Sequence, residues 1–391
     1  MSLIHVFPPE VLGEIFKCTM SRPSSPLAVT HVSRRWREVA LTNSDLWRRV
    51  EVSPKDIRHP DLLYERLKRS KGRTICLALD FDAFHAPFDR DALQTVMWIV
   101  RRHLGRCYEL SVTTPWEAWM DIVVVLLTEV AYKNLIALDL RLLEPAKGSS
   151  YFREPYPFYL PDEHKLQRVS LDGMMVKCRS LKYLTEIRMM NEGAPRLGFW
   201  LTHLTEKLSL EDFLVPETFP SVPGGPIDPV FSPITHLVLN RLRATPLTGF
   251  ANGERSCVPF FTGLQTPYLL TLEILDWDVR GRAWSDFLAS LPAAQDKYLH
   301  VTRLRLREMH FYGLGYHQVA LFLGSFPVLA TLQIEECFPG TWEIAMDVLE
   351  VDGKLCPAVT EIRLHNALVL YRDDPLPFRN ATMLGSSGWA A

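Results

Sequence analysis

Val301-Thr302-Arg303-Leu304-Arg305-Leu306-Arg307, Leu329-Ala330-Thr331-Leu332-Gln333-Ile334-Glu335 and Val359-Thr360-Glu361-Ile362-Arg363-Leu364-His365 repeat one phrase in the C-terminal third of the chain. Each carries apolar side chains at its first, fourth and sixth positions and polar ones between the last two. Alternation with period two predicts a strand with one buried and one wet face. Strands of a doubly wound α/β sheet are covered on both faces and read as continuous apolar runs, so this pattern argues against that architecture.

Working outward, the phrase recurs at Cys107/Leu110/Val112, Leu135/Leu138/Leu140, Leu166/Val169/Leu171, Leu184/Ile187/Met189, Ile234/Leu237/Leu239 and Leu269/Leu272/Ile274, with an imperfect copy at Leu204/Leu208/Leu210. The copy at Leu329 continues to Cys337. Spacings of mostly roughly 28 to 35 residues lie near or beyond the upper end of leucine-rich repeats. Helical stretches are predicted between phrases: Asp61 to Ser70 closing at Gly72, Asp91 to Leu104 closing at Gly105, a capping box Thr114-Pro115-Trp116-Glu117 opening a helix to about Ala131, and Trp284 to Leu291, Tyr316 to Leu323 and Trp342 to Leu349. One unit cannot bury its own apolar face, so neighbours stack. The expected fold class is α/β: an irregular leucine-rich-repeat solenoid of alternating helices and short parallel strands over residues 53–370.

Residues 1–52 read differently. Pro8 and Pro9 suit a helix start and Glu10 places a carboxylate in its first turn. Val11, Leu12, Ile15 and Phe16 then share a stripe, while Gly13 weakens the helix by about 1 kcal/mol unless a partner backbone approaches there. Ser25 and Pro26 are placed to open a second helix with Val29, Val32, Trp36, Val39 and Ala40 on one face, and Leu46 and Trp47 start a third short element. A module of about fifty residues buries only about 60% of its unfolded surface, so a partner or a second domain must cover the rest.

The Pro8-Pro9-Glu10 start, the Ile15-Phe16 pair, Arg34-Arg35-Trp36-Arg37 and the closing Leu46-Trp47 resemble an F-box over residues 4 to 50. The resemblance implies a three-helix module that docks on the Skp adaptor of a cullin ubiquitin ligase. By position, Pro8, Pro9, Glu10, Leu12, Ile15 and Phe16 would contact the adaptor, with Val32, Trp36 and Trp47 inside or beside that interface. Phe7 stands where the family usually has Leu, and Ser33 where Cys is common.

Composition bounds the rest. The chain has 391 residues, 47% apolar and 23% charged, with a formal net charge of −2. That balance suits a globular protein of two or more domains and argues against nucleic acid or an anionic membrane as partner. Seven cysteines without a CxxC pair read as reduced thiols of the cytoplasm or nucleus. The longest aliphatic run, Ile122 to Leu127, is far short of the roughly 18 residues of a membrane span. Two segments break the array: the aromatic and proline-rich stretch Glu144 to Asp162, either a binding loop or a cover packed back over the solenoid, and Val215 to Pro233, a spacer with six prolines. The tail 371–391 is expected to be loose.

No phosphate loop, GxSxG elbow, HExxH helix or GxGxxG fingerprint is present in the sequence. His310 and His317 lack a third ligand nearby, Gly313-x-Gly315 is too short a signal, and Cys257 beside Arg255 is a lone thiol. No catalytic residue, metal or cofactor is therefore expected. What remains is a receptor whose binding surface is the outward strand face. By phase that face includes Arg303, Arg305, Arg307, Glu335, Arg363 and His365. Its basic part suits an acidic or phosphorylated substrate segment, although alternating Arg and Glu also simply solvate a strand face. The expected function is the substrate-recognition subunit of a Skp/cullin/F-box ubiquitin ligase. Its rivals are a leucine-rich scaffold that delivers no substrate and an α/β enzyme with an unrecognised site.

Overall fold

The computed structural model describes residues 7–19, 26–81, 90–114, 120, 123–125, 130, 132–143, 156–160, 164–177, 181–190, 206–211, 214–215, 234–241, 243–244, 266–276, 287–288, 290–291, 298–309, 316–336, 341–351, 358–365 and 381–384. The chain divides into two compact units, Met1–Tyr183 and Leu184–Ala391.

The first unit opens with helices α1 (Pro9–Thr19), α2 (Leu27–Thr30) and α3 (Arg34–Thr42) and a 3-10 turn over Ser44–Trp47. Strand β1 (Arg49–Val52), helices α4 (Pro54–Arg58) and α5 (Pro60–Arg69), strand β2 (Ile75–Asp80) and helix α6 (Arg90–Arg101) follow. The unit continues with β3 (Cys107–Thr114), β4 (Ala137–Leu142), β5 (Tyr156–Tyr159), β6 (Arg168–Asp172) and β7 (Met174–Lys177). Strands β1, β2, β3, β4 and β6 pair in parallel and in chain order, and β5 pairs with β7 beside them.

The second unit holds β8 (Glu186–Met190), β9 (Lys207–Glu211), β10 (Leu214–Val215), β11 (His236–Asn240), β12 (Arg243–Ala244), β13 (Thr271–Leu275), β14 (Arg303–Arg307), β15 (Thr331–Glu335), β16 (Glu361–His365) and β17 (Ala381–Leu384). Strands β8, β9, β11, β13, β14, β15, β16 and β17 again pair in parallel and in chain order, while β10 pairs with β12. Helices Tyr316–Gly324 and Thr341–Val351 lie between strands, as their apolar periodicity predicts. Among the described residues, neither unit shows the reversal of strand order that marks a doubly wound sheet.

The phrase explains the register. Leu304 and Leu306 are buried beside Leu272 and Ile274 on one side and Leu332 and Ile334 on the other, so like positions stack strand upon strand. The rings of Phe287, Tyr298, Phe322 and Phe326 are buried and meet one another at centroid distances from 5.2 to 6.3 Å. Strands β11, β13, β14 and β15 are each followed at once by a left-handed residue that is not glycine: Arg241, Asp276, Glu308 and Glu336. Each N–H there donates to the last residue of the next strand, at 2.8 to 3.1 Å, which holds a conformation that otherwise costs about 1–2 kcal/mol per residue.

Several local expectations change. The single helix expected from Pro26 to Ala40 is two, because Ser33 is extended and its Oγ accepts the Trp36 N–H, making it the N-cap of α3. Pro26 itself stands at the N-cap of α2, with no side-chain cap bond, and Ser25 lies outside the described residues. Helix α5 leaves through Lys71 and Gly72, both at positive φ, whereas α6 ends at Arg101 and Gly105 sits within the 3-10 turn Leu104–Arg106. Thr114 is the last residue of β3, not a helix cap, and it is fully buried. The expected aromatic loop contains β5, with Phe158 buried and Tyr159 exposed. Within the tail expected to be loose, Ala381–Leu384 pair with β16. Residues 144–155, 161–163 and 216–233, Cys257, His310, Gly313 and Gly315 lie outside the described residues, as does most of the helix expected after Thr114.

Candidate functional site

The N-terminal module is built around Leu12, Phe16, Val39, Ala40, Leu46 and Trp47. Phe16 tilts against Trp36 at 4.9 Å between centroids, and the Trp47 indole N–H donates to the Ala40 carbonyl at 2.8 Å. That carbonyl sits in the last turn of α3, where no helical N–H can reach it. Gly13 is needed for a close approach: a Cβ there would stand 2.7 Å from Asn43 Nδ2. Asn43 Oδ1 in turn accepts the Asp45 N–H that starts the 3-10 turn.

Of the residues expected at an adaptor interface, burial separates two sets. Leu12, Phe16 and Trp47 are 0%, 1% and 1% exposed and form the core, and Trp36 is half-buried against it. Pro8, Pro9, Glu10, Ile15 and Val32 are on the surface. Val11 and Phe7, which the resemblance does not place at the interface, are surface residues too, each 40% exposed. The signal for Val11 was its place on the stripe. One helix stripe is wide enough to face the core along one edge and solvent along the other.

No linker separates this module from β1. Arg48 donates to the carbonyl and hydroxyl of Thr74, each at 3.0 Å, and the Arg69 guanidinium lies 4.9 Å from the Trp47 ring centroid. Asp45 is 3.3 Å from Lys17 Nζ. Arg106 donates to the Leu67 and Arg73 carbonyls, each at 2.8 Å, and to Ser70 Oγ at 2.6 Å, closing the C-terminal end of α5.

The outward face of the strands in the second unit is a ladder of ion pairs. Arg305 bridges Glu273 at 2.9 Å and Glu335 at 2.6 Å, and His236 reaches Glu273 at 2.6 Å. Arg307 bonds Glu308 and Glu336, Arg363 bonds Glu361 twice, and Arg188 and Arg241 bond Glu211 and Asp276. The face expected to be locally basic is therefore largely neutralised by carboxylates from neighbouring strands. Glu335, expected to point outward, is buried under Arg305 and also accepts from Gln333. Burial pushes the Glu273 carboxyl up, but its hydrogen bond to His236 and the charges of His236 and Arg305 outweigh that, and the net shift is downward. Arg303 and His365 are exposed.

The first unit shows the same construction, with Arg141 on Asp139 at 2.7 Å and Arg168 on Glu109 at 3.0 Å. Glu109 also accepts from Cys76 Sγ at 3.2 Å. Burial, with Glu109 adding to it, pushes the Cys76 thiol up to about 12, and burial pushes Cys107 equally to about 12. Neither is a thiolate nucleophile near neutral pH. Burial, with Arg106 and Arg102, lowers His103 to about 4. No group of three or more His, Cys, Asp or Glu that could hold a metal occurs among the described residues, and no described helix is long and apolar enough to cross a membrane.

Residues 4–53 match the F-box-like family model. The chain therefore carries an F-box-like domain at its N-terminal end, ahead of a mixed α/β region with parallel strands. A search of curated proteins finds no match to the chain.

Proposed function

We propose that this protein is the substrate-recognition subunit of a Skp/cullin/F-box ubiquitin ligase. The F-box-like match at residues 4–53 carries the reading. In it, Val11, Ile15 and Val32 form the apolar part of the adaptor contact with Pro8, Pro9 and Glu10, while Leu12, Phe16, Trp36 and Trp47 hold the shape beneath. The parallel strands in chain order, each with one buried face, support a leucine-rich solenoid that presents the substrate surface. The subunit itself does no chemistry. Tethering raises the effective concentration of substrate lysines near a charged ubiquitin carrier supplied by other subunits, in the cytoplasm or nucleus.

The test is co-purification of the full chain with a Skp adaptor, beside the double variant Ile15→Asp, Val32→Asp. Both side chains are exposed, at 37% and 60%, so the variant keeps its core. Full burial of such a side chain is worth roughly 1.5–3 kcal/mol, so about 1 kcal/mol each remains for a partner, and a carboxylate adds a desolvation penalty. Capture should fall by roughly 30-fold or more. Equal capture of both chains, or capture of neither, would remove the ligase reading.

A further inference from the structure

Three turns of one construction enter β13, β14 and β15. In Thr266–Leu269, Tyr298–Val301 and Phe326–Leu329 the last N–H donates to the first carbonyl, at 3.1 Å in each case. Their central residues include Tyr268, Leu299 and Val328, exposed by 62%, 39% and 41%, and Leu270 just beyond the first turn is 47% exposed. Apolar side chains are normally the best-buried part of these repeats, yet each of three neighbouring turns exposes one. The Leu270 carbonyl accepts the N–H groups of Thr302 and Arg303 at 3.0 and 3.1 Å, so the backbone leaving the first turn is bonded to the backbone at the start of β14, where Arg303 stands.

Arg303 differs from the other arginines on this face. Arg188, Arg241, Arg305, Arg307 and Arg363 each bond a carboxylate. Among the described residues, Arg303 makes no side-chain hydrogen bond or ion pair and is exposed. Glu361, which feels its charge, is already held by two bonds from Arg363. His300, in the middle turn, is exposed as well.

We infer that the stacked turns before β13, β14 and β15, with Arg303 at their border, dock a short extended peptide that carries apolar side chains beside an Asp or Glu. This rests on the substrate-receptor reading and names the substrate class. Neighbouring strands lie about 4.8 Å apart, so three turns span roughly 10 Å, the reach of about three extended residues. Tyr268, Leu270, Leu299 and Val328 take the apolar side chains, and the guanidinium fork of Arg303 takes the carboxylate in two parallel bonds. A phosphate dianion fits less well, because the nearby Arg305 and Arg363 are committed to carboxylates and Glu361 repels a second negative charge.

The test selects a displayed library of random hexapeptides on the full-length protein and on Arg303→Glu, with Leu270→Ser and Arg188→Glu alongside. Both Arg303 and Leu270 are exposed, and matching melting temperatures establish that the variants fold. The native chain should enrich peptides with an acidic residue next to aliphatic or aromatic ones. Arg303→Glu should weaken those peptides at least tenfold and enrich Lys or Arg in place of the acid. Leu270→Ser should weaken binding whatever the charge, and Arg188→Glu should change nothing. No enrichment, enrichment that ignores Arg303→Glu, or a phosphoserine version of the selected peptide binding more than tenfold tighter than the acidic one would each overturn the assignment. Adaptor capture is measured on the same preparations: peptide selection that succeeds where capture fails keeps this docking surface and removes the ligase reading, and the reverse removes only the surface.

Discussion

Trp47→Phe isolates what holds the N-terminal module together. Trp47 is 1% exposed and Ala40 is 0% exposed, and their bond is 2.8 Å. Phenylalanine keeps an aromatic ring but has no N–H, so the Ala40 carbonyl loses its partner in a dry place, at a cost of about 1–3 kcal/mol. The smaller ring leaves a void worth roughly 1 kcal/mol more, and the Arg69 guanidinium, 4.9 Å from the indole centroid, loses part of a cation–π contact worth about 0.5–1 kcal/mol. The sum is about 2–4 kcal/mol. The assay is amide hydrogen exchange read by mass spectrometry on peptides covering residues 7–19 and 34–52 of the full chain. It resolves the module from the rest, which a single melting curve of a chain with two units does not. Exchange in these peptides should accelerate by roughly 30-fold to several hundred-fold at 1.4 kcal/mol per decade, while peptides from β13 to β15 stay unchanged. Acceleration below about threefold, or an equal change in both regions, would refute the assignment of Trp47 as the module's polar anchor.

Further outcomes follow from the same geometry. Lys71 has a φ of 46° and Gly72 one of 74°, so Lys71→Gly should raise stability by about 0.5–1 kcal/mol and Gly72→Ala lower it by about 1 kcal/mol, read by thermal denaturation. Arg305→Met leaves Glu273 and Glu335 without their shared cation. The folded-state pKa of Glu273 lies below its ordinary value, so its ion pairs contribute stability above the ordinary carboxylate range and lose it as pH falls through the folded value. The variant should therefore be markedly less stable than the native chain at pH 7 and nearly equal to it in acid, measured by urea denaturation across that range. With thiols pushed up to about 12, Cys76 and Cys107 should resist alkylation at pH 8 while the exposed Cys18 is modified before either, as peptide mass mapping would show. Ser33→Ala removes the cap of α3 and should cost about 1 kcal/mol in the hydrogen exchange of residues 34–42.

Much of the strand layer was legible because its signal is local. The apolar positions of the phrase, Leu304 and Leu306 or Ile362 and Leu364, are buried as their alternation requires. The break at Ser33 was harder to read, since Val29, Val32, Trp36, Val39 and Ala40 suit one continuous helix equally well. Only the capping bond to Trp36 separates the two readings. Within α1, the stripe named Val11, Leu12, Ile15 and Phe16 together. Which two face the core depends on where α3 and Trp47 lie, and they select Leu12 and Phe16.

The sequence by itself determined the two kinds of structure in this chain, because helix starts, apolar stripes and period-two alternation are properties of short segments. It also determined which residues could carry charge on the strand face. Only the tertiary structure decided which of those charges remain available. Arg303 and Arg305 are two residues apart in the same phrase and carry the same group, yet Arg305 lies between Glu273 and Glu335 while Arg303, among the described residues, has no carboxylate bonded to it. That difference comes from strands about thirty residues away meeting in register, and a pairing set by register is invisible until the strands are stacked.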